Sequence, residues 1–280
     1  MFYQQTTLNC NGHLLDITEP IVMGILNITP DSFFEGSRVQ SAENLLKTAE
    51  KMLHDGATIL DMGGMSSRPG ATIISEKEEL NRIIPAIETV IRYFPEAIIS
   101  VDTLRANVAR KSVEAGARMV NDISGGSFDN TMFQTIADLK NIPYILMHMK
   151  GDNPITMQKQ AIYDDITVEI LDFFIERLGI LRGLAVKDII IDVGFGFGKT
   201  IEHNYTLLKK MHVFKMLEVP ILAGLSRKAM VWKTLNIAPE HALNGTTALH
   251  VIALQQGAKI LRVHDVKEAV ETVKLFQMVR

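Results

Sequence analysis

Nine polar side chains in this sequence share one habit: each stands where an apolar run gives way to a turn. They are Asn27, Asp61, Asp102, Asn121, His148, Asp192, Lys228, Arg262 and His264. The clearest case is Ile189-Ile190-Ile191-Asp192, which delivers a carboxylate into the glycine-rich turn Val193-Gly194-Phe195-Gly196-Phe197-Gly198-Lys199. A charge placed there is costly unless something pairs with it, so a ligand or a basic neighbour is implied. Two carboxylates and an amide could read the N–H edge of a flat heterocycle, because a carboxylate accepts two parallel N–H bonds while Asn both donates and accepts. Arg262, His264 and Arg68 form an opposite pole, suited to an anion such as diphosphate.

Those residues need a frame that gathers strand ends on one rim. Eight runs read as buried strands: 21–27, 58–64, 97–101, 119–123, 144–148, 189–192, 219–225 and 259–265. Helical spacing marks 41–54, 76–93, a short helix ending at Gly116, then 164–181 and a closing helix to 278. Repeated strand–helix units without a linker-like stretch predict an α/β protein, one (β/α)8 TIM barrel spanning 1–280. An open doubly wound sheet fits less well, for want of a GxGxxG opening. Ahead of the barrel, alternating runs flank Asn11-Gly12, a strong hairpin signal. Residues 6–18 are therefore predicted to form an N-terminal β-hairpin closing the barrel's bottom. In such a barrel the C-terminal strand ends share one mouth.

The chain has 280 residues, 47% hydrophobic and 22% charged, with a formal net charge of −3. That composition is ordinary for a globular protein and leaves no basic footprint for nucleic acid. The apolar runs fall short of a bilayer span and the N-terminus lacks a signal layout. A cytoplasmic protein without membrane or nucleic-acid partners is expected. The single cysteine, Cys10, excludes an internal disulfide and suits a reducing compartment.

Structural readings compete at several positions. Asp61 and Asp122 sit in strand–loop corners and read as acceptors for backbone N–H groups. His148 stays open between a hydrogen-bonded core histidine and a site residue. Asp102, Asn121, Asp192, Lys228 and Arg262 could form a structural ion-pair network, but buried charges kept only for stability are seldom favourable. Gly198-Lys199-Thr200 imitates the end of a phosphate-binding P-loop, yet that motif wants glycine at position 193, which is Val193. No HExxH motif or cysteine cluster supports zinc. Any metal would be a hard cation held mainly by substrate phosphates.

Read as strings, these stretches resemble the dihydropteroate synthase family along nearly the whole chain. The matches are MGILNITPDSF at 23–33, SSRPG at 66–70, SVDT at 100–103, NDISGG at 121–126, MHMKG at 147–151, DVGFGFGK at 192–199, SRK at 226–228 and RVHD at 262–265. The resemblance implies a transferase of folate biosynthesis, usually a homodimer and a target of sulfonamides. It would condense a dihydropterin methyl diphosphate with p-aminobenzoate, giving dihydropteroate and pyrophosphate, with Mg2+ on the diphosphate. By resemblance Asp102, Asn121 and Asp192 hold the pterin edge, Met147 forms an apolar wall, Lys228 reaches the pterin, and Arg262 stacks on its face. Asn27 helps bind magnesium with His264 and Arg68, and Ser67 is a further candidate there. Asp31, Phe33, Arg68 and Pro69 join Phe197 around the p-aminobenzoate slot.

An arylamine is a neutral nucleophile, so losing diphosphate is the harder step. An SN1-like displacement is expected, with Arg68, Arg262 and His264 easing departure and Asp31 or Glu35 beside the developing cation. Arg68, Asp31, Glu35 and Lys228 are the expected catalytic residues. The chain departs from the family at Met65, usually Glu, at Ser67 for Thr, Val193 for Pro and Glu35 for Asp. Ala229 replaces a Ser after SRK, which predicts a modest loss of aminobenzoate affinity. Three other readings stand beside this one: a methyltetrahydrofolate-using methyltransferase, a non-catalytic pterin-binding protein, and a Schiff-base aldolase using Lys228. For the last, the sequence gives no desolvated pocket to depress the lysine.

Overall fold

The computed structural model describes residues 5–28, 38–65, 73–151 and 161–279. At the N-terminus β1 (Thr7–Cys10) pairs antiparallel with β2 (His13–Asp16). Asn11 and Gly12 both take positive φ, 55° and 87°, as a tight hairpin with right-handed strand twist requires.

Eight parallel strands follow and close on themselves: β3 (Ile21–Asn27), β4 (Ile59–Gly63), β5 (Ile98–Asp102), β6 (Met119–Asp122), β7 (Tyr144–Met147), β8 (Ile189–Asp192), β9 (Ile221–Ala223) and β10 (Ala258–Val263). Outside them run α1 (Arg38–His54), α2 (Glu76–Tyr93), α3 (Ala106–Glu114), α4 (Met132–Leu139), α5 (Ile166–Gly183), α6 (Ile201–Lys210), α7 (Ala229–Thr234), α8 (Leu243–Gln255) and α9 (Val266–Gln277). The TIM barrel and hairpin expected from the sequence are thus both present.

Three details differ from the sequence reading, each for a local reason. No helix is marked in the sequence between 123 and 144 or between 192 and 259, but α4 lies in the first interval and α6, α7 and α8 in the second; the eight residues of α4 and six of α7 give too little periodicity to stand out. The seventh strand starts after Pro220, whose missing N–H cannot join a ladder although its carbonyl accepts from Ile191. The long helix begins at Ile166 because Asp165 caps it, accepting from the Thr167 and Val168 N–H groups.

Alternation along each strand divides the apolar residues between two environments. Outward positions such as Val22, Leu60, Ile99, Val120, Leu146, Ile191 and Leu261 pack under the helices. Inward positions Met23, Ile59, Ile98, Met119, Ile145, Ile190, Leu222 and Ile260 form a separate cluster with Leu8, Cys10, Leu15 and Ile17 of the hairpin segment. The hairpin is therefore a plug under an apolar floor, one strand end of it tied by the Asn11 N–H to the Asn141 carbonyl at 2.7 Å.

Candidate active site

Two residues above the floor, every strand points inward again. On this second level stand Ile25, Asp61, Ser100, Asn121, Met147, Asp192, Gly224 and Arg262. One more inward step brings Asn27, Gly63, Asp102, Ile123, Ser226 and His264 to the mouth. Polar groups on β4, β5, β6, β8 and β10 thus converge without any loop being needed to bring them together.

Arg262 is the centre of this level. Its Nε donates to Asp61 Oδ2 at 2.6 Å and its guanidinium donates to Asp102 Oδ2 at 2.9 Å. Asn121 Nδ2 donates to the same Asp61 oxygen at 3.0 Å. One cation is therefore shared by two buried carboxylates. Burial raises the Asp102 carboxyl to about 7, Arg262 pulls it back, and Asp61 adds to the rise. Burial would lower Arg262, but Asp61 and Asp102 together hold it above its ordinary value.

Asp192 is also buried and raised by that burial, against the N–H of Gly194 (2.8 Å) and the charges of Lys228 and Arg262. Met147 stands level with it on β7. Lys228 lies with Nζ 4.2 Å from the centre of the Phe197 ring. Burial brings that amine down to about 8, against the pull of Asp192. Lys228 is thus half-buried beside an aromatic ring, a degree of desolvation that its neighbours in sequence do not reveal, and the expectation of a fully solvated amine is corrected. Asp192 beside it favours the ammonium. Phe197 and Met147 belong to one apolar cluster with Met65, Leu104, Ile123 and Met149.

The expected residues divide cleanly. Asp102, Asn121, Asp192, Met147, Phe197, Lys228 and Arg262 share the mouth, with Asn27 exposed at the end of β3. His264 Nδ1 lies 3.1 Å from Ser226 Oγ at the same rim. Asp31, Phe33, Glu35, Ser67, Arg68 and Pro69 lie outside the described residues.

Asp61 requires a correction. Its side chain accepts from Arg262 and Asn121, not from a corner backbone, and its Oδ1 has no partner among the described residues. The missed signal was phase: Asp61 is two residues past a floor position, as Asp192 and Arg262 are. Asp122 is one residue out of phase, and its corner role holds. It accepts from Ser124 N–H (2.8 Å), Gly126 N–H (2.8 Å) and the Tyr144 hydroxyl (2.7 Å). His148 also points out of the barrel, edge-on to Phe173 at 4.8 Å, and is a core histidine.

The sequence pattern of the pterin binding enzymes matches residues 23–264, from the first barrel strand to His264. Dihydropteroate synthase from Escherichia coli K12 is 44% identical over 272 residues, 96% of this chain and 95% of that protein. The chain belongs to the dihydropteroate synthase family of pterin binding enzymes.

Solved structures of this family of transferases agree in shape. Xanthomonas albilineans dihydropteroate synthase with 4-aminobenzoic acid superposes with a TM-score of 0.89 at 38% identity, covering 99% of this chain and 98% of that one. Yersinia pestis dihydropteroate synthase in a sulfonamide drug complex gives 0.89 at 41% identity, covering 98% and 99%. Against that family, the departures fall in different places. Met65 is buried in the apolar cluster at the mouth, Val193 packs under the helices, and Ala229 is exposed at the start of α7.

Proposed function

We propose that this chain joins (7,8-dihydropterin-6-yl)methyl diphosphate to p-aminobenzoate, releasing pyrophosphate and 7,8-dihydropteroate. The observation that carries this reading is the second inward level itself. There Asn121 and Asp192, with Asp102 one step above them, face a common space whose only strand-borne guanidinium among the described residues, Arg262, is pinned by Asp61 and Asp102.

The pterin's donor edge would be read by Asp192 and Asp102, with Asn121 pairing a donor and an acceptor. Arg262, held in plane by two carboxylates, offers its face for stacking. Lys228 stands between this edge and the Phe197 ring, where the second substrate would pack. Departure of diphosphate breaks the methylene C–O bond and leaves positive charge on the pterin methylene, which the ring delocalises. The arylamine nitrogen then forms the new C–N bond and gives up one proton to solvent. An SN1-like order suits a pocket whose carboxylates stabilise developing positive charge. His264, and Arg68 by its sequence match, would hold the leaving group.

Among the described residues no cluster of His, Cys, Asp or Glu could hold a resident metal. Asn27 offers a single exposed neutral oxygen donor at the mouth, which fits a magnesium ion carried on the diphosphate that keeps most of its waters. When bound, it would neutralise charge on the departing diphosphate. We further propose that the chain works as a homodimer in the cytoplasm. Among the described residues no helix is long and apolar enough to cross a membrane.

Pyrophosphate release is measured with the dihydropterin methyl diphosphate and magnesium, with and without p-aminobenzoate. Turnover that depends on the arylamine supports the reading. Binding of the pterin without turnover would leave a pterin-binding module instead.

A further inference from the structure

The turn from β8 to α6 is fastened by a lysine that no step of the reaction uses. Lys199 is only 4% exposed. Its Nζ donates to the Phe197 carbonyl at 3.0 Å and to the His148 carbonyl at 3.2 Å, and lies 2.9 Å from His148 Nδ1. Burying an amine is costly unless its N–H groups find acceptors, and here they do. Burial pushes Lys199 well below the ordinary lysine value, with Asp192 opposing. Burial, then Lys199, holds His148 well below its usual value. A neutral amine with two N–H bonds and an ammonium with three each have enough donors for both carbonyls.

The consequence is a tie between two strand ends. His148 follows β7 directly, whereas Phe197 sits in the turn after β8. Glycine allows their close approach: a Cβ on Gly194, at φ 69°, would fall 1.9 Å from the His148 carbonyl oxygen. Other side chains hold the same turn. Asp192 accepts from Gly194 N–H (2.8 Å), Asn204 Oδ1 accepts from Gly196 N–H (2.7 Å), and the Tyr163 hydroxyl donates to the Gly198 carbonyl (3.0 Å). Of these side chains, Lys199 is the one that grips the backbone of Phe197.

We propose that Lys199 is a positioning residue for the second substrate: by bolting the Phe197 carbonyl to the end of β7, it fixes the ring against which the arylamine packs. This deepens the reaction proposed above and rests on it. Lys199 meets the pterin edge only through the charge of Asp192, whose position is held by its own bond from Gly194 N–H, so its loss should register on the second substrate far more than on the first.

Steady-state pyrophosphate release by the full chain tests this, titrating each substrate at saturating levels of the other. In Lys199→Met the KM for p-aminobenzoate rises about tenfold, within the penalty of up to about a hundredfold for an ångström of misplacement, while kcat and the KM for the pterin diphosphate stay within about twofold. Lys199→Gln, which keeps an N–H donor, recovers part of the loss. Ile190→Val, in the barrel floor, controls for general loosening and shows no such split. Equal rises in both KM values, a fall in kcat alone, or no change would overturn the assignment. If Lys199→Met does not fold, Lys199→Gln against wild type decides by the same split. A wild-type chain without arylamine-dependent release overturns the reaction itself, and that failure is visible before any substitution is made.

Discussion

Two inward-facing levels of one barrel, two residues or about 7 Å apart on each strand, differ in nearly every physical respect. The lower is eight aliphatic or methionine side chains sealed beneath by the hairpin plug. The upper places Asp61, Ser100, Asn121, Asp192 and Arg262 among Ile25, Met147 and Gly224. Below, burial is favourable by about 1.5–3 kcal/mol per side chain. Above, Asp61 Oδ1 and Ser100 Oγ, on residues paired in the β4–β5 register, are buried without partners among the described residues. Each such group costs on the order of 1–3 kcal/mol. Stability and recognition are thus separated by height within the same eight strands.

The largest effect expected is at Asp61. Asp61→Asn should lower kcat/KM by about a hundredfold to a thousandfold, because both Arg262 and Asn121 lose the anion that orients them. Its melting temperature should hold or rise, since Arg262 keeps Asp102 and one of two competing carboxylates is gone. Steady-state kinetics and thermal melts on the same sample check both halves. Activity within threefold of wild type would break the comparison.

The converse change is Ile190→Ala in the floor. A cavity there should cost about 2–5 kcal/mol of stability, read by urea denaturation, with activity per folded molecule unaltered. Loss of activity without loss of stability would show that the levels are not separable.

Acid should move ligand-free stability and pterin affinity in opposite directions. Burial raises Asp102 to about 7 and raises Asp192 as well, above the values these groups have when unfolded. Between about pH 4 and 7 the folded state therefore binds more protons, so ligand-free stability falls as pH rises through that window. In the binding mode proposed above the pterin edge pairs with ionised carboxylates, so affinity should fall as pH drops below about 7, approaching tenfold per unit for one coupled proton. Melting temperature and pterin affinity measured from pH 5.5 to 7.5 should diverge, and Asp102→Asn should flatten the stability trend. Parallel curves would sink the argument.

How much of this was legible in the sequence follows from the same periodicity. The eight strands, the hairpin and the shared rim could be read because β-branched runs and Asn-Gly are local signals. Asp102 and Asp192 could be placed because each ends a strand, and Asn121 because it stands one residue short of a strand end. Asp61 was misassigned because membership of the inward level depends on counting in register from a floor residue, and the floor is defined only once the barrel closes. The depressed amine of Lys228 was equally hidden, since its burial comes from Phe197 and from neighbouring strands far away in sequence. His148 stays open in the sequence between core and site, and Lys199 reads only as part of a failed phosphate motif; their packing shows one tie between adjacent strand ends.

The smallest effect expected lies outside both levels, at Ala229. α7 starts there, exposed, and its capping position, Lys228, provides no side-chain hydrogen bond. A hydroxyl at 229 would add one donor near the helix start without touching the inward residues. Ala229→Ser should therefore lower the KM for p-aminobenzoate by about threefold, the worth of one partly exposed hydrogen bond, and leave pterin affinity unmoved. An unchanged arylamine KM would mean that the second substrate's carboxylate is held elsewhere. A change in pterin affinity would mean that the upper level extends further than its strand-borne residues, because Lys228 would then be carrying the effect inward.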